Sequence, residues 1–174
     1  ILTNSLTQHR EVFSTVETLF PELQDCHESI ISTLDNGGKI LIAGNGGSAS
    51  DSQHFAAELI GKFELDRRPL KAISLNTDTS GITAIGNDYG YDFIFSRQME
   101  ALGSANDIFI AITTSGNSRN IINAITSSHQ LGMKVMLLSG GSGGLAKDML
   151  IPGKDHGLIV NSKRTARIQE VHIF

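Results

Sequence analysis

The chain has 174 residues, 40% of them hydrophobic, which is enough for one domain with its own core and too short for separate cofactor and substrate domains. A formal net charge of -4 and a pI near 5.8 exclude the overall basic footprint of a nucleic-acid or anionic-membrane binder, so no nucleic acid or membrane is expected as a partner. Cys26 is the only cysteine, so no disulfide forms within the chain, and the cytoplasm is the expected compartment.

In chain order, apolar residues recur at helical spacing from Leu2 to Leu34 (Leu6, Phe13, Val16, then Leu23, Ile30, Ile31), and Pro21 suits the first turn of a second helix. Two N-terminal helices are therefore expected within residues 1–36, as part of the same domain and as a contact between copies. Asn36-Gly37-Gly38 ends them. Residues 37–174 then alternate short β-rich runs with helical stretches. The strands are expected at Lys39 to Ala43, Leu70 to Leu75, Asp107 to Thr113, Lys134 to Ser139 and His156 to Val160. Helices are expected at Ser48 to Lys62, Tyr91 to Leu102, Ser118 to Leu131, near Gly144 to Met149, and from Thr165 onward. Such alternation implies right-handed crossovers and an α/β fold, with a five-stranded parallel sheet covered by helices on both faces. The pattern is still helical and apolar at Phe174, so the last helix is expected to continue past it.

The first strand runs into Gly44-Asn45-Gly46-Gly47-Ser48-Ala49-Ser50, with a helix following at once. Glycines at such a junction let backbone N–H groups approach an anion, and the helix N-terminus adds unsatisfied donors. A tight turn with a serine cap would explain the same residues. A second junction, Thr113-Thr114-Ser115-Gly116-Asn117-Ser118, places four hydroxyls in six residues at another strand end, which suits phosphate oxygens better than an apolar ligand. Capping accounts for only one of the four. The first loop also reads as the looser dinucleotide fingerprint. That fingerprint wants an acid at the end of the second strand, where this chain has Leu75-Asn76-Thr77. A Walker loop is excluded because no lysine follows the glycines.

His54 and Glu58, four apart on the following helix, share a face near the ligand-binding end. They can bind a divalent metal, divide acid and base roles, or form an ordinary polar pair. In the last segment Gln169 and His172 share a helical face, and nothing local distinguishes them from surface or packing residues. His9, His27, His129 and His156 have no such company.

Gly44 to Ala49, Asp51 to Glu58 (DSQHFAAE), Ala84 to Gly90 (AIGNDYG), Thr114 to Ser118 (TSGNS) and Ala166 to Glu170 (ARIQE) together resemble the phosphoheptose isomerases of the sugar isomerase (SIS) fold. The resemblance covers nearly the whole chain, and the HFAAE and ARIQE segments are more specific than the serine-rich loops that SIS domains share. It implies a single flavodoxin-like SIS domain that converts sedoheptulose 7-phosphate to a heptose 7-phosphate, the entry to heptose synthesis for lipopolysaccharide core. It also implies a homotetramer with one zinc per subunit. The matching substrate-binding positions are Asn45, Gly46, Gly47, Ser48, Asn87, Asp88, Thr113, Thr114, Ser115, Ser118, Glu58 and Gln169. His54, Glu58 and Gln169 match zinc ligands, and Glu58 also matches a catalytic acid/base. A fourth ligand, a histidine, would fall at position 177, beyond this chain. A second reading comes from relatives that keep the fold, have lost isomerase residues and regulate by binding the replication initiator DnaA. Glu58 argues against it.

Overall fold

The computed structural model describes all 174 residues, Ile1–Phe174. Helix α1 (Leu2–Phe13) and α2 (Phe20–Asp35) are joined by a 3-10 turn at Val16–Leu19, and Pro21 lies in the first turn of α2 where its missing N–H costs nothing. Then come β1 (Ile40–Gly44), α3 (Gly47–Ile60), β2 (Ala72–Ser74), α4 (Thr79–Asp88), α5 (Ser96–Leu102), β3 (Ile108–Thr113), α6 (Arg119–Gln130), β4 (Lys134–Gly140), α7 (Gly144–Asp148), β5 (His156–Val160) and α8 (Thr165–His172).

All five strands are parallel, in the order β2-β1-β3-β4-β5. This is the doubly wound arrangement expected from the alternation, with its topological switch between β1 and β3. Every residue of β1 and β3 is buried, as parallel strands covered on both faces require. Alternate side chains then feed two cores. Leu41, Phe109, Val135 and Leu137 meet Phe95, Met99, Ile121 and Ile125 of α5, α6 and the turn before α5. On the opposite face Ile40, Ile42, Ile108, Ile110 and Met136 meet Cys26 of α2 and Ala56 of α3. Burial pushes the Cys26 thiol up to about 12, with Glu22 and Asp25 adding repulsion, so it is an inert packing group.

Two expectations need correcting. The stretch expected as one helix from Tyr91 breaks into a 3-10 turn at Tyr91–Phe93 and a helix from Ser96, entered through Gly90 at φ 94°. Helix α4, Thr79–Asp88, falls outside the elements the pattern predicts. Gly81 and Gly86 weaken its helical signal, and it is set instead by its cap, where Asp78 Oδ1 accepts the Gly81 N–H at 2.9 Å.

Candidate active site

The carboxyl ends of β1 and β3 are neighbours in the sheet, so the two loops singled out in the sequence lie side by side. The first is held by side-chain amides. Asn45 and Asn120 pair reciprocally, Nδ2 to Oδ1 at 2.9 and 2.8 Å, and Tyr91 Oη donates to Asn45 Oδ1 at 3.0 Å. Asn76 stands where a ribose-binding acid would be needed. Its amide is instead consumed by the loop: Gly44 N–H donates to Oδ1 at 3.2 Å, Nδ2 donates to Gly44 O at 2.9 Å, and Ser52 Oγ donates to Oδ1 at 2.9 Å. Gly46 takes φ 56°, and a Cβ on Gly47 would collide with the Gln169 amide, so α8 closes directly on this loop.

The second loop is braced through its backbone. Gly116 has φ 68°, and a Cβ there would overlap the Gly143 carbonyl, while Ala146 N–H donates to Gly116 O at 2.9 Å. Thr113 is buried, with its Oγ1 3.3 Å from Ser118 Oγ, and Ser139 Oγ donates to its carbonyl at 2.7 Å. Thr114 is half-buried and Ser115 exposed.

His54 Nε2 lies 3.3 Å from Glu58 Oε1 on α3. Both line a cavity of about 290 Å³ together with Asp51, Arg67 and His172. Two buried polar atoms in its walls lack a hydrogen-bond partner: Asp51 Oδ2 and His172 Nδ1. Burial raises the Asp51 carboxyl above its ordinary value, against the pull of His54. Burial likewise lowers the His172 imidazole, against its bond to the Ser139 carbonyl. An imidazole and a carboxylate in contact, with two further unpartnered polar atoms in the same cavity wall, are residue types that ligate divalent transition metals, but the ligand atoms that the fold gathers within 4.8 Å of one another are those of Glu22, Asp25 and His156. Gln169 lies one turn before His172 on α8 and packs on Gly47.

The structure therefore brings together Asn45, Gly46, Gly47, Ser48 and Gln169 at one loop, Thr113, Thr114, Ser115 and Ser118 at its neighbour, and His54 with Glu58 on the helix between β1 and β2. Asn87 and Asp88 lie at the exposed end of α4, where Asn87 Nδ2 donates to Asp88 Oδ1 at 2.8 Å. Sequence reasoning missed Asp51, Asn76, Tyr91 and Asn120, and passed over His156, which lies with Glu22 and Asp25 in a group whose ligand atoms are all within 4.8 Å of one another.

The SIS domain family matches residues 6–140. The chain is 50% identical to the phosphoheptose isomerase of Campylobacter concisus over 174 residues, all of this chain and 90% of that protein. It is 53% identical to that of Helicobacter pylori over 166 residues, 95% of this chain and 84% of that protein. Among solved structures, GmhA from Neisseria gonorrhoeae is similar with a TM-score of 0.93 at 44% identity, covering 99% of this chain and 90% of that one. The phosphoheptose isomerase from Francisella tularensis gives 0.95 at 42%, with the same coverage.

Proposed function

Because the chain belongs to the SIS domain family, as one of its phosphoheptose isomerases, we propose that it interconverts sedoheptulose 7-phosphate and D-glycero-D-manno-heptose 7-phosphate through an enediol. The observation that carries the mechanism is the juxtaposition of the loops after β1 and β3 with a carboxylate on the helix entered from the first of them. A ketose–aldose shift moves one proton between adjacent carbons and needs a positioned base. Glu58 is that base. His54, 3.3 Å from it, orients the carboxylate. Asn45, Gly46, Gly47 and Ser48, with Asn87, Asp88 and Gln169, hold the sugar, and Thr113, Thr114, Ser115 and Ser118 hold the phosphate with hydroxyl donors.

His54, Glu58 and Gln169 would hold one zinc per subunit, which when bound supplies a Lewis acid for the sugar carbonyl. The orphaned Asp51 Oδ2 and His172 Nδ1 support a cation in the cavity they share with His54 and Glu58. The same reading makes the assembly a homotetramer, supported by Leu2, Leu6, Phe20 and Leu23 exposed on α1 and α2. It makes the compartment the cytoplasm and the product a precursor of lipopolysaccharide heptose. The regulator reading is not favoured, since relatives similar over nearly the whole chain are phosphoheptose isomerases.

The test is an assay of the intact protein with sedoheptulose 7-phosphate, with and without chelator. Turnover that falls with chelator and returns with zinc is the expected outcome. No turnover in any condition would reject the reading.

A further inference from the structure

Beside the loop after β3, a cavity of about 420 Å³ opens between the carboxyl ends of β3, β4 and β5 and the start of α8. Five hydroxyls line it: Thr114 and Ser115 from the loop after β3, Ser142 from the loop after β4, and Ser162 and Thr165 from the junction of β5 with α8. Three of these oxygens accept backbone N–H groups. Ser115 Oγ takes Asn117 N at 3.2 Å, Ser142 Oγ takes Gly144 N at 3.4 Å, and Ser162 Oγ takes Arg164 N at 3.2 Å. An oxygen used as an acceptor keeps its own hydrogen free to donate. None of the five hydroxyls donates to a protein acceptor.

The only ionisable side chain in the lining is Lys163, which has no carboxylate partner in the fold, and the cavity wall holds no Asp or Glu. Arg164, its neighbour, is turned away and donates to Gln8 on α1 at 2.9 Å. No side chain caps the first turn of α8, so its leading N–H groups add to the same donor surplus. A cavity with five free hydroxyl donors, one unpaired ammonium and no competing anion is chemically matched to a phosphate dianion.

We propose that Lys163 is the charge-bearing phosphate ligand of this enzyme, and that Ser142, Ser162 and Thr165 complete, from the β4 and β5 side, the site that Thr114 and Ser115 begin. The inference rests on the phosphosugar isomerase reading. It adds that affinity and selection for a phosphorylated ketose are set by a residue of the junction before α8. Thr113 and Ser118 are turned toward each other, so the loop after β3 divides its hydroxyls between an inner pair and an outer pair that lines the same cavity as Lys163.

The probes are inorganic phosphate, titrated by calorimetry, and sedoheptulose 7-phosphate in the steady state. Lys163→Met is expected to weaken phosphate binding and raise KM about tenfold each, a loss within the range for a hydrogen bond to a charged group, with kcat within about twofold. Lys163→Arg should restore most of both, because the charge returns. Lys154→Met, remote from the cavity, should match the parent. Circular dichroism and the thermal midpoint establish that each variant is folded. If the parent turns sedoheptulose 7-phosphate over and Lys163→Met leaves KM and phosphate affinity unchanged, the inference is overturned while the isomerase reading stands. If the parent turns nothing over but binds phosphate in a Lys163-dependent way, the isomerase reading fails and the anion site stands. Phosphate binding absent from the parent would overturn the inference outright.

Discussion

The two ends of the sheet are built from opposite chemistry. At the amino ends, each buried carboxylate is saturated. Asp107 accepts from Lys39 N at 2.9 Å, Lys39 Nζ at 2.5 Å, and Ser104 N and Oγ at 2.8 Å each. Asp155 accepts from Val135 N and Ile151 N at 2.8 Å and lies 2.8 Å from His129 Nε2. At the carboxyl ends, hydroxyls of Thr114, Ser142, Ser162 and Thr165 donate to nothing in the protein, and Asp51 Oδ2 and His172 Nδ1 have no partner. Satisfied polar groups hold strands in register, whereas unsatisfied ones wait for a ligand. The closed end should therefore fail in folding when altered and the open end in chemistry.

The largest expected effect is at the closed end. Asp155→Ala strands two backbone N–H groups and an imidazole around a side chain with no exposed surface, and should cost about 3 kcal/mol or more of stability. Denaturant unfolding measures it, and a loss under about 1 kcal/mol would show that this end is not the structural one.

Glu58→Gln comes next and acts at the site rather than on the fold. It keeps size and removes the titrating group, so turnover should fall about 100-fold or more, equivalent to about 2.7 kcal/mol of barrier, with the unfolding midpoint little changed. Near-parental kcat would end the assignment of the base.

Thr114→Val and Ser118→Ala are smaller. Each should weaken substrate binding about tenfold, the range for one hydrogen bond to a charged group, while stability moves by about 0.5 kcal/mol. Unchanged affinity in both would move the phosphate away from the loop after β3.

The smallest effect is the pH dependence at Asp107. Its burial alone would raise the carboxyl, but the hydrogen bonds and charge of Lys39, with help from Ser104, outweigh it and hold it below the ordinary value. A carboxyl depressed in the folded state adds stability that is complete above its unfolded value, about 4, and is lost as pH falls through the lower folded value. The parent should therefore lose more stability than Asp107→Asn on acidification below about pH 4. Parallel profiles would contradict the depressed carboxyl.

The sequence made the central strands legible because β1 and β3 are continuous apolar runs, and made the two loops that follow them legible because glycine and hydroxyl clusters succeed those runs directly. The edge strand β2 is shorter than the apolar run suggests: Ala72–Ser74 form the strand, with Lys71 O and Leu75 N–H still bonded to β1, while Leu70 N–H turns to Leu59 O. What could not be read was set by topology. Asn45 meets Asn120 across 75 positions of chain, and Lys163 and Thr114 line one cavity only because β4 places the loop after β5 near the loop after β3. No periodicity or local motif encodes either meeting. His54 and Glu58 were legible as a pair because i,i+4 spacing is itself a contact on a helix, while the cavity they share with His172 of α8 required the fold.

The central claim is that an enediol forms with Glu58 as its base, and the most direct test is turnover of sedoheptulose 7-phosphate in heavy water followed by NMR. The account predicts heptose 7-phosphate carrying solvent deuterium on the carbon beside the aldehyde in the parent enzyme, with exchange and turnover both lowered about 100-fold in Glu58→Gln. Product formed without any deuterium, at equal rates in the parent and in Glu58→Gln, would contradict it.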